Sequence, residues 1–435
     1  MTGAPAADPP GAASPWRRSV VGGAIAFAWV GLAALAIGVL EWFATGRPFG
    51  VRLAWKLAGL YVGAFHGAGI RFRSDPVPGG AADLSALLGP EITVHVTFLL
   101  GTGFAAVMLW RAGRRAGRGP GGGWIRRIAW GASIAPVYAL LVFAVALLVE
   151  MRFPSAGFTE VRVVAPAALS GALLLALVAG AAGGGAAAAE VAPPRGAWGI
   201  RLVAWLVGGW RMTVALLILA FVGFLVVAGI RSDASAAYVR GVSGAGAQGA
   251  VAAVHHVLLL PNQSFLMAAP SMGGCVTVDG SGSQPTTLCL RTFTVRPGFG
   301  GNVLPELTSA EVPLPEIWLL FLLVPMGATL WGGHAVSAGS TGRGERALRG
   351  AGAGIVFAVV VLIGEAASAI SVVRSPGEEI LRLGTDAGAT ALLALLWGVA
   401  GGVLGALLPE RGQELVGGEP PAGADVADPP RPTSE

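Results

Sequence analysis

Charged residues are scarce in this chain. They make up 12% of its 435 residues, against roughly 25% in a typical soluble domain. Hydrophobic residues make up 54% of the chain, and the mean hydropathy is +0.70. No soluble catalytic domain is visible in such a composition, which is typical of a protein that crosses a lipid bilayer several times.

Lysine is almost absent, because Lys56 is the only lysine among 29 basic side chains. The net charge of +5 does not indicate nucleic-acid binding. The arginines alternate with apolar segments, as the positive-inside rule predicts for a membrane protein. We therefore expect the lipid bilayer, and no nucleic acid, as a partner. The bias towards arginine, alanine and glycine is typical of a GC-rich actinobacterial genome.

The sequence also lacks the common catalytic motifs: no Walker A, HExxH or GxSxG pattern occurs, and no GxGxxG follows a strand. The adjacent His255 and His256 do not form a metal-binding pair, since neighbouring residues on a helix point about 100° apart. The sequence therefore predicts no enzyme, no catalytic residue, no cofactor and no metal site.

Eight apolar segments are long enough to span a bilayer, which takes about 20 residues. They are 20–43, 92–110, 128–149, 164–186, 212–230, 317–336, 352–373 and 387–408. We therefore predict an all-α polytopic membrane helix bundle with about eight transmembrane helices over residues 20–408. The flanking segments 1–19 and 409–435 are rich in Pro, Gly, Ala and acidic residues, which predicts disorder.

Arginine clusters orient the eight segments. They precede the first and fifth spans and fill the connections between the second and third and between the sixth and seventh. All of these connections fall on one side, which the positive-inside rule assigns to the cytoplasm. The sequence thus predicts a multi-pass protein of the cell membrane with both termini in the cytoplasm.

Two further segments leave the topology open. Residues 51–70 form an amphipathic pattern that favours a helix lying at the interface or packed on the bundle through its glycines. Residues 246–270 are apolar but interrupted by Pro261, Asn262 and Gln263, which predicts a broken-helix elbow. A re-entrant element, a surface helix and an additional span remain alternatives for this second segment.

The predicted extracytoplasmic loop, 231–316, contains both cysteines, Cys275 and Cys289. Short β-rich runs flank the turn signal Asp279-Gly280-Ser281-Gly282, which predicts a small β-hairpin that brings the cysteines together. A disulfide is permitted outside the cytoplasm, and closing a loop of about 15 residues would contribute about 3 kcal/mol. We expect this loop to contact an envelope protein partner.

Three polar side chains are candidates for a role within the bilayer. Glu365 lies near the middle of the seventh predicted span, where an ionisable group costs several kcal/mol and normally has a partner. His95, at the start of the second span, and Arg211, at the start of the fifth, are candidate partners. Glu365 is either the coupling carboxylate of a proton- or cation-linked permease or a structural group, and Arg211 is expected to reach the cytoplasmic headgroups.

GxxxG pairs at Gly180/Gly184 and Gly398/Gly402 predict close helix packing. No sequence repeat of 20–50 residues and no internal duplication is visible, which disfavours the architecture of many transporters.

The stretches LLLPNQSF (258–265), with a Gly-Gly-Cys turn shortly after it, and VMLWRAGRRAG (107–117) resemble features of uncharacterised actinobacterial multi-pass proteins. The chain is similar to the streptophobe-type family of hydrophobic membrane proteins, and to the permease-like family associated with mycobacterial cell division. The resemblance implies residence in the plasma membrane and a role in the envelope or in division. Together these features predict a non-enzymatic envelope-associated or scaffold protein, with a small-molecule permease using Glu365 as the alternative.

Overall fold

The structure is a computed structural model. It describes residues 14–45, 50–74, 89–118, 123–153, 158–191, 197–230, 247–280, 286–290, 292–295, 310–313, 316–337, 340 and 342–408. Most of the predicted disordered ends, 1–19 and 409–435, lies outside these ranges. Residues 15–19, however, are helical, because the first helix begins at Pro15.

The fold is a polytopic helical membrane bundle, as predicted. Its described helices are α1 (Pro15–Ala44), α2 (Arg52–Phe65), α3 (Leu99–Gly117), α4 (Trp124–Ala132), α5 (Ala135–Leu148), α6 (Ala165–Val191), α7 (Ala197–Ile230), α8 (Ala247–Met272), α9 (Leu323–Ser337), α10 (Arg343–Ser368) and α11 (Ala387–Leu407). A 3-10 helix, Glu316–Leu322, leads into α9. Within the described residues, seven helical segments are long and apolar enough to cross a membrane. The second predicted span, 92–110, is not among these seven; it contains the start of α3, whose last turns are rich in arginine.

A ten-stranded antiparallel sheet covers one end of the bundle, far more than the small hairpin that the sequence predicts. Its strands are β1 (Ile70–Arg73), β2 (Glu91–His95), β3 (Glu150–Phe153), β4 (Phe158–Val163), β5 (Cys275–Gly280), β6 (Thr286–Cys289), β7 (Thr292–Val295), β8 (Ala310–Pro313), β9 (Ile370–Arg374) and β10 (Glu378–Thr385). Their order is β3-β4-β1-β2-β9-β10-β5-β6-β7-β8. We call this end of the molecule the sheet end and the opposite end the arginine end.

Two predicted spans have different bounds in the structure. The segment 92–110 begins with strand β2, and its helix starts only at Leu99. The segment 352–373 ends as a helix at Ser368 and continues as strand β9. In both cases apolar strand residues next to a helix extend the apolar run, so the sequence pattern makes the span too long.

The chain consists of two halves with the same order of elements, although no duplication is visible in the sequence. The first half runs helix α1, short helix α2, hairpin β1-β2, helix α3, the α4–α5 pair, hairpin β3-β4 and helix α6. The second half repeats this order from α7 to α11, with α8 in the place of α2 and α10 in the place of α4–α5. The sheet repeats it as well, since β3-β4-β1-β2 is followed by β9-β10-β5-β6. Because both halves have their hairpins at the same end, they form a parallel repeat.

Close glycine contacts recur at equivalent positions of the two halves. A Cβ atom on Gly23 of α1 would lie 2.9 Å from the carbonyl oxygen of Ile134, and one on Gly209 of α7 would lie 2.8 Å from that of Ala353. Both glycines end a Val-Gly-Gly tripeptide, at 21–23 and 207–209. The helix pairs α1/α5 and α7/α10 therefore approach each other in the same way.

The same correspondence holds for a second pair of helices. Gly113 of α3 lies against the backbone of Gly180 in α6, and Gly333 of α9 lies against that of Gly402 in α11. Helices in lipid have no hydrophobic drive to associate, so such backbone contact supplies the dispersion energy that holds them together. Repeated contacts of this kind, rather than repeated side chains, preserve the duplicated architecture.

We expect Gly333→Ala to lower the stability of the folded protein by about 1–3 kcal/mol, because its methyl group meets the backbone of Gly402 and the helices must separate. The matched control is Gly327→Ala on the same helix, where a Cβ meets no atom within 4 Å. Thermal unfolding in detergent measures both variants. Equal midpoints for the two variants would contradict the proposed helix contact.

Candidate functional site

The two halves meet along a contact surface that we call the seam. At the sheet end, β2 of the first half pairs with β9 of the second over four residue pairs, from Ile92–Arg374 to His95–Ser371. Beneath this ladder, α8 of the second half reaches across to the first half and contacts α1 and α3. The two halves are therefore joined at the seam by the backbone hydrogen bonds of the β2-β9 pair. They are also joined by α8, which belongs to the second half but packs on the first.

Helix α8 is uninterrupted from Ala247 to Met272, with Pro261 inside it. The predicted broken-helix elbow at Pro261, Asn262 and Gln263 is thus absent. Asn262 is instead buried in the seam, where its side-chain oxygen accepts a hydrogen bond from the Leu99 backbone nitrogen at 3.1 Å. Its amide nitrogen donates to the Thr97 carbonyl at 2.7 Å. Asn262 therefore satisfies backbone groups at the start of α3 and fixes α8 against the first half.

A cluster of three polar side chains lies in the seam, one turn from the sheet end of α1. The Tyr61 hydroxyl donates a short hydrogen bond to Glu41 Oε1. The His255 Nε2 atom lies 3.3 Å from the same carboxylate oxygen and 3.1 Å from the Tyr61 hydroxyl. Glu41 and Tyr61 come from α1 and α2 of the first half, and His255 comes from α8 of the second. The cluster thus links the halves through side chains.

Both ring nitrogens of His255 have partners in this arrangement. Its Nδ1 atom lies 2.9 Å from the Val251 carbonyl, which can only accept, so Nδ1 is the donor. Burial, followed by the neighbouring Glu41 charge, raises the pKa of Tyr61, which keeps its hydroxyl protonated as a donor.

A cavity of about 450 Å³ adjoins the cluster. Its walls are apolar and come from both halves, namely Leu57, Leu60, Ile70, Val94, Val96, Phe98, Val251, Leu259 and Ile370. Glu41 is 5% exposed, and its Oε2 atom has no hydrogen-bond partner within the described residues. The cavity therefore combines an apolar body with one carboxylate oxygen that is able to accept a further hydrogen bond.

A second buried polar pair lies where α2 ends. His66 Nδ1 donates to the Val62 carbonyl at 2.6 Å, and Nε2 lies 2.8 Å from the Tyr138 hydroxyl. Burial, opposed in part by the Val62 hydrogen bond, lowers the pKa of His66 to about 4. The neutral ring accepts the proton of Tyr138 and joins α2 to α5. With 14 residues, α2 is too short to span the bilayer and packs on the bundle through Gly59 and Gly63.

Glu365 lies in the last turn of α10 at the sheet end, rather than at mid-span. It is 1% exposed, and its Oε2 atom accepts a hydrogen bond of 2.7 Å from the Thr385 hydroxyl. Its other oxygen, Oε1, is buried without a partner in the described part of the chain. Glu365 therefore joins the end of α10 to the end of β10.

The structure does not bring the predicted partners of Glu365 to it. His95 is the last residue of β2 and pairs with Ser371 across the seam, so it is a sheet residue and not part of a span. Arg211 lies exposed on α7, a continuous helix from Ala197 to Ile230. Neither side chain contributes to a common site with Glu365.

Cys275 and Cys289 form a disulfide with an S–S distance of 1.99 Å. They face each other in the β5-β6 hairpin. The rest of the predicted loop 231–316 is only partly described, since 231–246, 281–285, 291, 296–309 and 314–315 lie outside the described residues. The first two residues of the predicted turn, Asp279 and Gly280, are the last residues of β5, whereas Ser281 and Gly282 lie outside the described residues.

Within the described residues, no group of three or more His, Cys, Asp or Glu side chains is placed to hold a metal ion. Comparison of the chain with protein-family models, curated proteins and solved structures finds no match.

Sequence reasoning missed the seam cluster. It considered His255 only as half of an unsuitable metal pair. The one available signal was helical spacing, since Val251, His255, Leu258 and Asn262 recur at intervals of three and four and share one face of α8. That face packs on the first half, with Leu258 in its buried core.

We expect Tyr61→Phe and Glu41→Gln to be energetically coupled, because Tyr61→Phe removes the hydrogen bond and Glu41→Gln replaces its carboxylate acceptor with a weaker amide oxygen. A double-mutant cycle, measured by unfolding in mixed micelles, should give a coupling energy of roughly 0.5–3 kcal/mol. The control cycle pairs Glu41→Gln with Tyr138→Phe, whose hydroxyl contacts His66 instead. Additivity in both cycles would contradict the hydrogen bond.

The neutral His66 predicts a pH-dependent stability. Its folded pKa of about 4 lies below the ordinary value of 6.5, so the unfolded chain takes up a proton first as the pH falls. The free energy of unfolding should rise by on the order of 3 kcal/mol as the pH increases from about 4 to 6.5, and it should stay level above that range. The midpoint temperature of thermal unfolding should change less with pH in His66→Gln than in the control His256→Gln. Equal slopes would show that His66 does not titrate between the two states.

Proposed function

We propose that this integral membrane protein is a non-enzymatic envelope-associated scaffold, which holds an amphiphilic component of the envelope in the seam cavity. The observation that carries the proposal is the combination of an apolar cavity between the halves with a buried carboxylate at its polar end. The positive-inside rule assigns the arginine end to the cytoplasm, so the cavity faces the extracytoplasmic side. This location agrees with the envelope role that the family resemblance implies.

The shape and polarity of the cavity define the ligand class. Its apolar walls suit an acyl, isoprenoid or aromatic group. The Oε2 atom of Glu41, which has no partner in the part of the chain that the structure describes, suits a hydrogen-bond donor or a cation. An apolar row continues along the sheet, since Ile70 pairs with Val94 and Val94 with Val372. An amphiphile with a donor head and an apolar body would therefore lie between α2, α8 and the sheet.

The ladder between β2 and β9 favours a scaffold over a permease. Alternating access commonly requires one repeat to rock against the other. In this protein the halves share one hydrogen-bonded sheet, so opening at the sheet end would bend or break the four residue pairs of the seam. The geometry thus supports a protein whose binding site stays open to one side of the membrane only.

The test places a photo-reactive benzoylphenylalanine at Leu57, which lines the cavity, in intact cells. We expect an adduct of defined mass by intact-protein mass spectrometry, and its loss when Glu41→Gln is added. The control places the same group at Leu174, which is 66% exposed on the outside of α6. Identical adducts at both positions, or an adduct at Leu57 that does not depend on Glu41, would refute a specific seam ligand.

A small-molecule permease is the second candidate, favoured by the internal duplication and by the buried Glu365. The two functions differ in the access of water to this carboxylate. Both native cysteines form the disulfide, so Glu365→Cys introduces the only free thiol of the chain. We expect no reaction with a small water-soluble thiol reagent from either side, whereas the exposed control Glu379→Cys should react. Reaction of Glu365→Cys from both sides would favour the permease.

A further inference from the structure

The second cavity of interest lies at the arginine end, between α1 and α3. It has a volume of about 550 Å³. Arg18, Arg111 and Arg115 line it at the arginine end, and Val21, Ile25, Trp29 and Met108 are among the apolar side chains of its walls. We call this cavity the arginine crevice. It is separate from the seam and plays no part in the proposed function.

No carboxylate in the described part of the chain pairs with the three arginines of the crevice. The nearby Glu190 binds Arg114 and Arg118. Within the described residues, Arg18, Arg111 and Arg115 make no ion pair with any carboxylate; Arg111 and Arg115 are exposed, and Arg18 is half-buried. Three uncompensated positive charges at one entrance create a field that attracts an anion of matching size.

The crevice extends into the membrane by the depth of one leaflet. Trp29 lies eleven residues beyond Arg18 on α1, which corresponds to about 16 Å along the helix axis. Half of the hydrocarbon core of a bilayer is about 15 Å thick. The charged entrance therefore lies at headgroup level when the apolar wall lies beside the acyl chains.

The internal duplication provides a comparison within the molecule. Gly22 and Gly113 of the first half correspond to Gly208 and Gly333 of the second, according to their shared contacts. Counting from these glycines, Arg18 corresponds to Ala204, Arg111 to Trp331 and Arg115 to Ala335. The second half therefore has no equivalent triad of arginines. The positive-inside rule applies to both halves equally. It therefore does not explain why these three arginines occur in the first half only.

We propose that the arginine crevice binds one anionic phospholipid from the leaflet at the arginine end, with its phosphate at Arg18, Arg111 and Arg115 and one acyl chain along α1. Arginine forms paired hydrogen bonds to phosphate oxygens, and basic pockets between transmembrane helices suit anionic headgroups. The lipid fills the space between α1 and α3 and neutralises the three charges. A free phosphate ester would use the same arginines but leave the apolar wall empty.

Native mass spectrometry of the purified protein in detergent tests the proposal with three probes: phosphatidylglycerol, phosphatidylcholine and glycerol 3-phosphate. We expect one phosphatidylglycerol to bind at least tenfold more tightly than phosphatidylcholine, and no binding of glycerol 3-phosphate at the same concentration. Equal binding of the two lipids would overturn the proposal. Equally tight binding of glycerol 3-phosphate would show a site for a soluble phosphate ester instead.

The matched variants are Arg111→Gln/Arg115→Gln and the control Arg126→Gln/Arg343→Gln, which removes the same charge from exposed positions outside the crevice. We expect a tenfold or greater loss of phosphatidylglycerol binding in the first pair only. Equal losses in both pairs would indicate nonspecific attraction by net charge and overturn the proposal.

A further measurement uses the protein without substitutions, so misfolding of a variant cannot affect its result. A phosphatidylglycerol with a photo-reactive acyl chain should label peptides of α1 and α3 around Val21 to Trp29 and Met108. Equal labelling of the corresponding faces of α7 and α9 would show that the lipid does not recognise the arginine crevice.

Discussion

The architecture depends on the contact of helix backbones through glycine and alanine. In lipid, apolar side chains gain nothing by leaving their surroundings, so helices associate through close packing and its dispersion energy. The contact between Gly333 and Gly402, and the equivalent one between Gly113 and Gly180, bring backbone to backbone. The close spacing of the helices in turn fixes where their ends lie. The helix ends then set the spacing of the hairpins at the sheet end. The sheet forms because the two halves place their hairpins side by side, and β7 and β8 extend it at one edge.

The sequence predicts the spans well and the sheet poorly, for a physical reason. A transmembrane helix has a long apolar run that few other structures require, whereas β1 and β9 have only four or five residues and lie next to helices. Strands such as Ile370–Arg374 extend the apolar run of the preceding helix, so they are interpreted as part of it. This error moved Glu365 to the middle of a span, although it lies in the last helical turn.

The candidate site was beyond sequence reasoning because its members are distant in the chain. Glu41, Tyr61 and His255 meet only when α8 of one half packs on α1 and α2 of the other, with His255 and Tyr61 separated by 194 residues. The proline at position 261 suggested a break in α8, since a proline removes one helical hydrogen bond. The helix nevertheless continues, and packing on the first half, together with the two hydrogen bonds of Asn262, outweighs that loss. Tertiary contacts, and not the local sequence, therefore determine that α8 is continuous.

Differences between the two halves are more informative than their similarity. Packing explains why Gly23 and Gly209 have equivalent surroundings, so these positions reveal architecture rather than function. Packing does not require that α8 be longer than α2, nor that the arginines beside α1 have no counterparts beside α7. The extra length of α8 carries His255 to Glu41 and creates the seam cavity. The arginines of the first half create a charged entrance at the opposite end. Each departure from the repeat thus adds charged groups beside an apolar cavity, which is the combination that an amphiphilic ligand requires.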